Sequence, residues 1–203
     1  MVVPLQQAGA GAGRITAQDG RWWRRCGRAV PGRTSRTWDA PTPCSEWTVR
    51  DLVNHLVSEH SWAPHILARE SMEQVGDRYD GDLVGSDPVG AWERAAAKSR
   101  AAWETADLAG TARFSFGEAP LTEYADQMLV DLTVHGWDLA RATGQDETFD
   151  PAAVERSLAY ARANVGRWDG LGIVAPPVPT TSDDPGEQLV CLTGREFRTA
   201  GRG

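Results

Sequence analysis

The chain has 203 residues, with 28 acidic and 21 basic side chains and a net charge of −7. That is enough chain for one domain with a core that needs no disulfide. The acidic balance excludes nucleic acid as the main partner, because duplex binding needs a basic surface, and it argues against docking on an anionic membrane.

Cys26, Cys44 and Cys191 are widely spaced and odd in number, so no C-x-x-C pair marks a zinc knuckle or a redox motif. Reduced thiols, no apolar run of signal-peptide type and no stretch near the roughly 20 apolar residues of a membrane span together predict a cytoplasmic protein.

Residues 1–37 read as an atypical basic leader. Arg14, Arg21, Arg24, Arg25, Arg28, Arg33 and Arg36 face a single acid, Asp19, and no clean helical period appears. The composition predicts mostly irregular chain or a poor first helix. Gly9-x-Gly11-x-Gly13 has no strand before it and carries no phosphate-binding weight.

Residues 38–203 read as one helical domain. Pro41 and Pro43 favour an extended entry. Thr48 is a good N-cap, and Asp51 three residues on completes a variant capping box. Leu52, Val53, Leu56 and Val57 form the apolar stripe of a helix running to about Ala68, with Pro64 expected to bend or split it. A Gly- and Asp-rich loop fills 76–87. Asp87-Pro88 then starts a helix whose stripe is Trp92, Ala95, Ala96, Ser99, Ala102, Trp103 and Ala106. Residues 109–120 read as a loop in which Phe114 and Phe116 pack down as a lid or short strand. The next helix spans about Leu121–Thr143 and stops at Gly144. Asp150-Pro151 opens another, to about Arg167. From about residue 170 the chain reads as an extended arm strapped onto a four-helix bundle.

Chemistry concentrates in Asp131-Leu132-Thr133-Val134-His135. An i, i+4 pair projects from one helix face. His135 falls within the apolar stripe of Leu121, Ala125, Met128, Leu132 and Leu139, and Asp131 lies on its flank. Such groups facing a core need a partner or a metal ion. A third ligand must come from another helix, and His55, His60 and His65 are the other histidines. Periodicity slightly favours His60 as the inward residue; the spacing by itself does not choose.

Two segments carry a resemblance. Pro41-Thr42-Pro43-Cys44-Ser45-Glu46-Trp47-Thr48-Val49-Arg50-Asp51-Leu52-Val53-Asn54-His55-Leu56-Val57 resembles the opening signature of the mycothiol-dependent maleylpyruvate isomerase-like metal-binding family, of the DinB-type four-helix superfamily. Asp131 to Gly144 resembles that family's metal helix, and Leu192-Thr193-Gly194-Arg195 also fits. The resemblance implies an all-α, DinB-like four-helix bundle and a metal site of His55, Asp131 and His135. The characterised isomerases carry Glu where this chain has Asp131, and the family opens on an amphipathic helix that residues 1–37 do not clearly supply.

Two histidines and one carboxylate leave open metal positions, the catalytic rather than the structural pattern. The resemblance implies a divalent metal, zinc first and nickel or another ion after it, and mycothiol or a similar small thiol attacking a small electrophilic substrate. The expected function is a metal- and thiol-dependent transferase or isomerase; the alternative is a non-catalytic metal-binding or regulatory bundle. A homodimer is expected from the superfamily. Asp138 is read as an orienting acceptor for a metal-bound histidine or as a salt-bridge partner of Arg141. Trp47 and Trp137 are read as packing residues, Cys44 as a small buried hydrophobe, and Arg141 and Arg195 as surface ion-pairing residues or anion binders.

Overall fold

The computed structural model describes residues 35–114, 117–168 and 173–197. The leader reading for 1–34, and those for Cys26 and Phe116, lie outside the described residues. A single turn, α1 (Ser35–Trp38), crosses the boundary placed at residue 37.

Helix α2 (Val49–Leu67) begins as its cap dictates. The Thr48 side chain accepts from the Asp51 backbone N–H, and the Asp51 carboxylate accepts from the Thr48 N–H at 2.9 Å. Pro64 does not split it. The proline falls in the last turn, where little helix remains to be broken. The short helix α3 (Met72–Val75) follows, capped by Ser71, and was not anticipated. Helix α4 (Pro88–Thr105) starts on Asp87, whose carboxylate accepts from the Gly90 N–H at 3.1 Å.

The fold is mostly helical, but not all-α. Of the two readings for Phe114, lid or short strand, the strand holds: β1 (Thr111–Phe114) and β2 (Gly117–Pro120) pair antiparallel where a loop was expected, with Thr111 opposite Pro120 and Phe114 opposite Gly117. Alternate burial of Ala112 and Phe114 gives β1 the period of a half-buried strand. The hairpin delivers the chain into α5 (Leu121–Ala142).

Helix α5 is the axis of the molecule. Leu121, Ala125, Met128, Leu132 and Leu139 join α2, α4 and the hairpin in one core, while Val130 and Val134 join the next two helices in a second. A helix with apolar side chains on opposite faces is buried from both sides. The described residues thus form two cores sharing α5.

Helix α6 (Pro151–Trp168) starts where Asp150 accepts from the backbone N–H groups of Ala152 and Ala153, both at 3.1 Å. The extended-arm expectation needs correction. Within it lies α7 (Pro185–Leu192), whose Asp184 accepts from the Glu187 N–H at 2.8 Å. Asp184-Pro185 is the same start signal as Asp87-Pro88 and Asp150-Pro151; the prolines of the flanking tail masked it. Gly186 allows α7 to approach α6's entry closely, since a Cβ there would lie 2.3 Å from the Phe149 ring.

Candidate metal centre

His55 stands on α2, and Asp131 and His135 stand one turn apart on α5. Because α2 and α5 share the larger core, their packing brings these side chains together. The His55 Nε2 lies 3.0 Å from Asp131 Oδ1, and the His135 Nε2 lies 3.4 Å from the same oxygen. The two imidazoles meet edge to face with centroids 5.1 Å apart. Ligand atoms about 2.0–2.1 Å from a tetrahedral ion sit roughly 3.3 Å from one another. Both histidine nitrogens therefore lie near that spacing from Asp131 Oδ1, and all three donor atoms lie within 4.8 Å of one another.

The other oxygen strengthens the fit. Asp131 Oδ2 is buried and has no hydrogen-bond partner. An unpartnered carboxylate oxygen is costly unless a cation or water meets it. The His55 and Asp131 side chains are each 25% exposed and that of His135 is 10% exposed, so the cluster can be reached from solvent.

Electrostatics couple the three. Burial alone would raise the Asp131 pKa, but the neighbouring His55 and His135 overcome it and hold the carboxyl well below its ordinary range. Burial likewise disfavours charge on His135, and Asp131, with help from Asp138, outweighs it and raises the imidazole to about 9.

The other histidines are elsewhere. His60, favoured by the helical period, is fully buried but packs edge-on against Trp92 at 4.8 Å, and burial pushes its pKa down to about 3. His65, in the last turn of α2, contacts the Glu70 carboxylate at 2.8 Å and the Tyr79 hydroxyl at 2.9 Å.

Behind the cluster lies a buried relay. Asp138 Oδ2 sits 2.9 Å from His135 Nδ1, and its carboxylate is fully buried. Its cationic partner is Arg195, which donates from Nη2 to Oδ2 at 2.9 Å and from Nε to Oδ1 at 3.4 Å. Arg141 does not take that role. It pairs with Glu147 at 2.6 Å and lies over the Trp137 ring at 4.6 Å, because Asp138 faces inward, away from it. The surface reading of Arg195 is likewise corrected: the residue is 6% exposed.

Cys44 is half-buried rather than buried, close enough to His135 and Asp138 to make a second candidate group. That set is the poorer one, because the Arg195 guanidinium already holds both Asp138 oxygens. Trp47 is a packing residue of a particular kind: its indole lies against both histidines, 5.0 Å from the His55 ring and 5.8 Å from that of His135. The turn before α2 sets it there. Thr42 N–H donates to the Trp47 carbonyl at 3.1 Å, and Val49 N–H donates to the Ala40 carbonyl at 2.9 Å.

Two further polar residues border the cluster and escaped the sequence reading. Glu59 is one turn beyond His55 on α2. Burial raises its pKa against the pull of His55, and Asp131 adds to the rise. Tyr124, two turns before Asp131 on α5, is 2% exposed, and its hydroxyl has no hydrogen-bond partner. Helical spacing from His55 and Asp131 was the available signal for both.

Two histidines and a carboxylate thus converge from two helices of a mostly helical protein, as a group that could hold a metal ion. Comparison with known proteins is specific. Residues 20–140 match the model of the mycothiol maleylpyruvate isomerase N-terminal domain, and this chain belongs to that DinB-like family. The match begins inside the segment read as a leader and ends before Arg195. Two uncharacterized proteins of Mycobacterium tuberculosis, one from each of two strains, are 33% identical over 162 residues, covering 78% of this chain and 85% of their own length. No solved structure gives a significant match. Among the described residues no helix is long and apolar enough to cross a membrane.

Proposed function

We propose that this protein, with the DinB-type bundle architecture of its family, holds one divalent ion, zinc foremost, through His55, Asp131 and His135. It would use the ion to activate a low-molecular-weight thiol, mycothiol in the family's case, against a small electrophile. The observation that carries this reading is the convergence of two Nε2 atoms on one oxygen of Asp131 while its other oxygen is buried without a partner.

When bound, the ion would act as a Lewis acid that lowers the pKa of a ligated thiol. The chain's own residues do the rest. Asp138 accepts from His135 Nδ1 and leaves Nε2 facing the ligand cluster. Trp47 covers one side of the two imidazoles and limits water there. Glu59 borders the ligand set one turn beyond His55, and its raised pKa suits it to take the thiol proton. Tyr124 offers an unspent hydroxyl on the same wall. A second reading, metal binding without turnover, is favoured by the shorter reach of Asp131 compared with a glutamate.

The test is elemental analysis of untagged protein beside His135→Ala, with circular dichroism to confirm folding. About one ion per chain, lost in the variant, supports the site. Adding mycothiol to the cobalt-loaded protein should then produce a thiolate-to-metal absorption band. No ion after reconstitution removes the proposal; an ion but no thiol band leaves the non-catalytic reading.

A further inference from the structure

We propose that Arg195 is a positioning residue of the metal centre, so that the segment ending α7 completes a site whose ligands all lie on α2 and α5. The inference rests on the metal-binding reading above and deepens it; Arg195 lies outside the residues that the family model matches.

The local structure explains how a distant segment reaches the site. Helix α7 ends in a Schellman turn: Arg195 N–H donates to the Val190 carbonyl at 2.9 Å, and Gly194 N–H to that of Cys191 at 3.0 Å. Gly194 has φ +86°, and a Cβ there would lie 2.5 Å from that of Ala175, so this turn requires glycine. The turn folds Arg195 back into the interior. Its Nη1 donates to the Thr193 carbonyl at 2.7 Å, which fixes the guanidinium plane, while Nε and Nη2 hold the two Asp138 oxygens.

The consequence is chemical. A fully buried Asp138 without a cation would be expensive to keep charged. With both oxygens held by a planar fork, the carboxylate stays charged and oriented toward His135 Nδ1. That keeps a proton on Nδ1 and leaves Nε2 as the ligand atom beside Asp131. Lysine supplies charge but not a two-point grip.

The experiment uses the full chain, with Arg195→Lys as the main variant and Arg195→Ala beside it, because the alanine leaves a buried charge and is the variant at risk of unfolding. Zinc affinity is measured by chelator competition. Loss of an orienting partner is expected to weaken binding roughly 10–100-fold in Arg195→Ala and less in Arg195→Lys, since lysine restores part of the interaction. A second readout needs no metal: isotope-labelled histidine should reveal a protected, downfield Nδ1 proton on His135 in the metal-free wild type, shifted or lost in Arg195→Lys. Zinc affinity in folded Arg195→Lys and Arg195→Ala equal to that of wild type, or absence of the ring proton in wild type, would overturn the proposal. A wild type that takes up no zinc defeats the metal reading instead, and the ring proton then decides the positioning claim by itself.

Discussion

The indole of Trp47 stacks on the imidazole of His135, with centroids 5.8 Å apart and ring planes 23° apart. The same indole lies 5.0 Å from His55, so one half-buried side chain covers both histidines of the candidate centre. Trp47→Ala is expected to destabilise the protein by roughly 1–3 kcal/mol, less than a fully buried tryptophan would. It should also speed metal dissociation by admitting water, whereas Trp47→Phe keeps most of both properties. Thermal melts and chelator-driven release kinetics check this; unchanged release from Trp47→Ala would show that the ring is packing alone.

Glu46 precedes that tryptophan with φ +70°, in the left-handed region. Its side chain is exposed, so little is lost by removing it. A non-glycine residue there costs roughly 1–2 kcal/mol, and glycine's extra freedom in the unfolded chain returns part of the gain. Glu46→Gly should therefore stabilise by about 0.5–1 kcal/mol in chemical denaturation, without altering metal content. A loss of stability would mean that Glu46 makes a contact worth more than its strain.

His60 provides a test of acid stability. Its folded pKa, pushed by burial to about 3, lies below the unfolded value near 6.5. The unfolded chain binds the proton more readily, so this contribution is complete above about pH 6.5 and is lost as pH falls toward 3. The slope is on the order of 1 kcal/mol per pH unit. Replacing His60 with Phe, which keeps an aromatic ring beside Trp92, should flatten the fall in stability between pH 6.5 and 4. An unchanged slope would assign acid sensitivity to other groups.

His135 behaves in the opposite sense. Its raised pKa, about 9, stabilises the metal-free protein fully below about pH 6.5 and ceases to do so as pH rises through 9. An ion at Nε2 must displace that proton. Zinc uptake at neutral pH should then release a proton, and apparent affinity should rise about tenfold per pH unit until the imidazole is neutral. Titrations in weakly buffered solution read the proton directly. Affinity flat between about pH 7 and 9 would show that His135 is not the group displaced.

Much of this protein was legible in its sequence because the signals are local. Thr48 with Asp51, Asp87-Pro88, Asp150-Pro151 and Gly144 mark helix ends through groups within a few residues of one another. The stripe Leu121, Ala125, Met128, Leu132 and Leu139 follows from helical periodicity, and the i, i+4 spacing of Asp131 and His135 puts both on one side of α5. What stayed hidden depends on how elements pack. The second core behind α5 required knowing where α6 and α7 dock. Helical phase slightly favoured His60 over His55, yet the crossing of α2 over α5 turned His60 onto Trp92 and His55 onto Asp131. Asp138 could be read as a partner of Arg141 three residues away or as an acceptor for His135. Only the tertiary structure, by bringing Arg195 across 57 positions of sequence to a buried carboxylate, decided between them. Hydrogen-bond caps and periodic faces act over a few residues and are written in order along the chain. The pairing of buried charges acts through space, and chain order does not encode it.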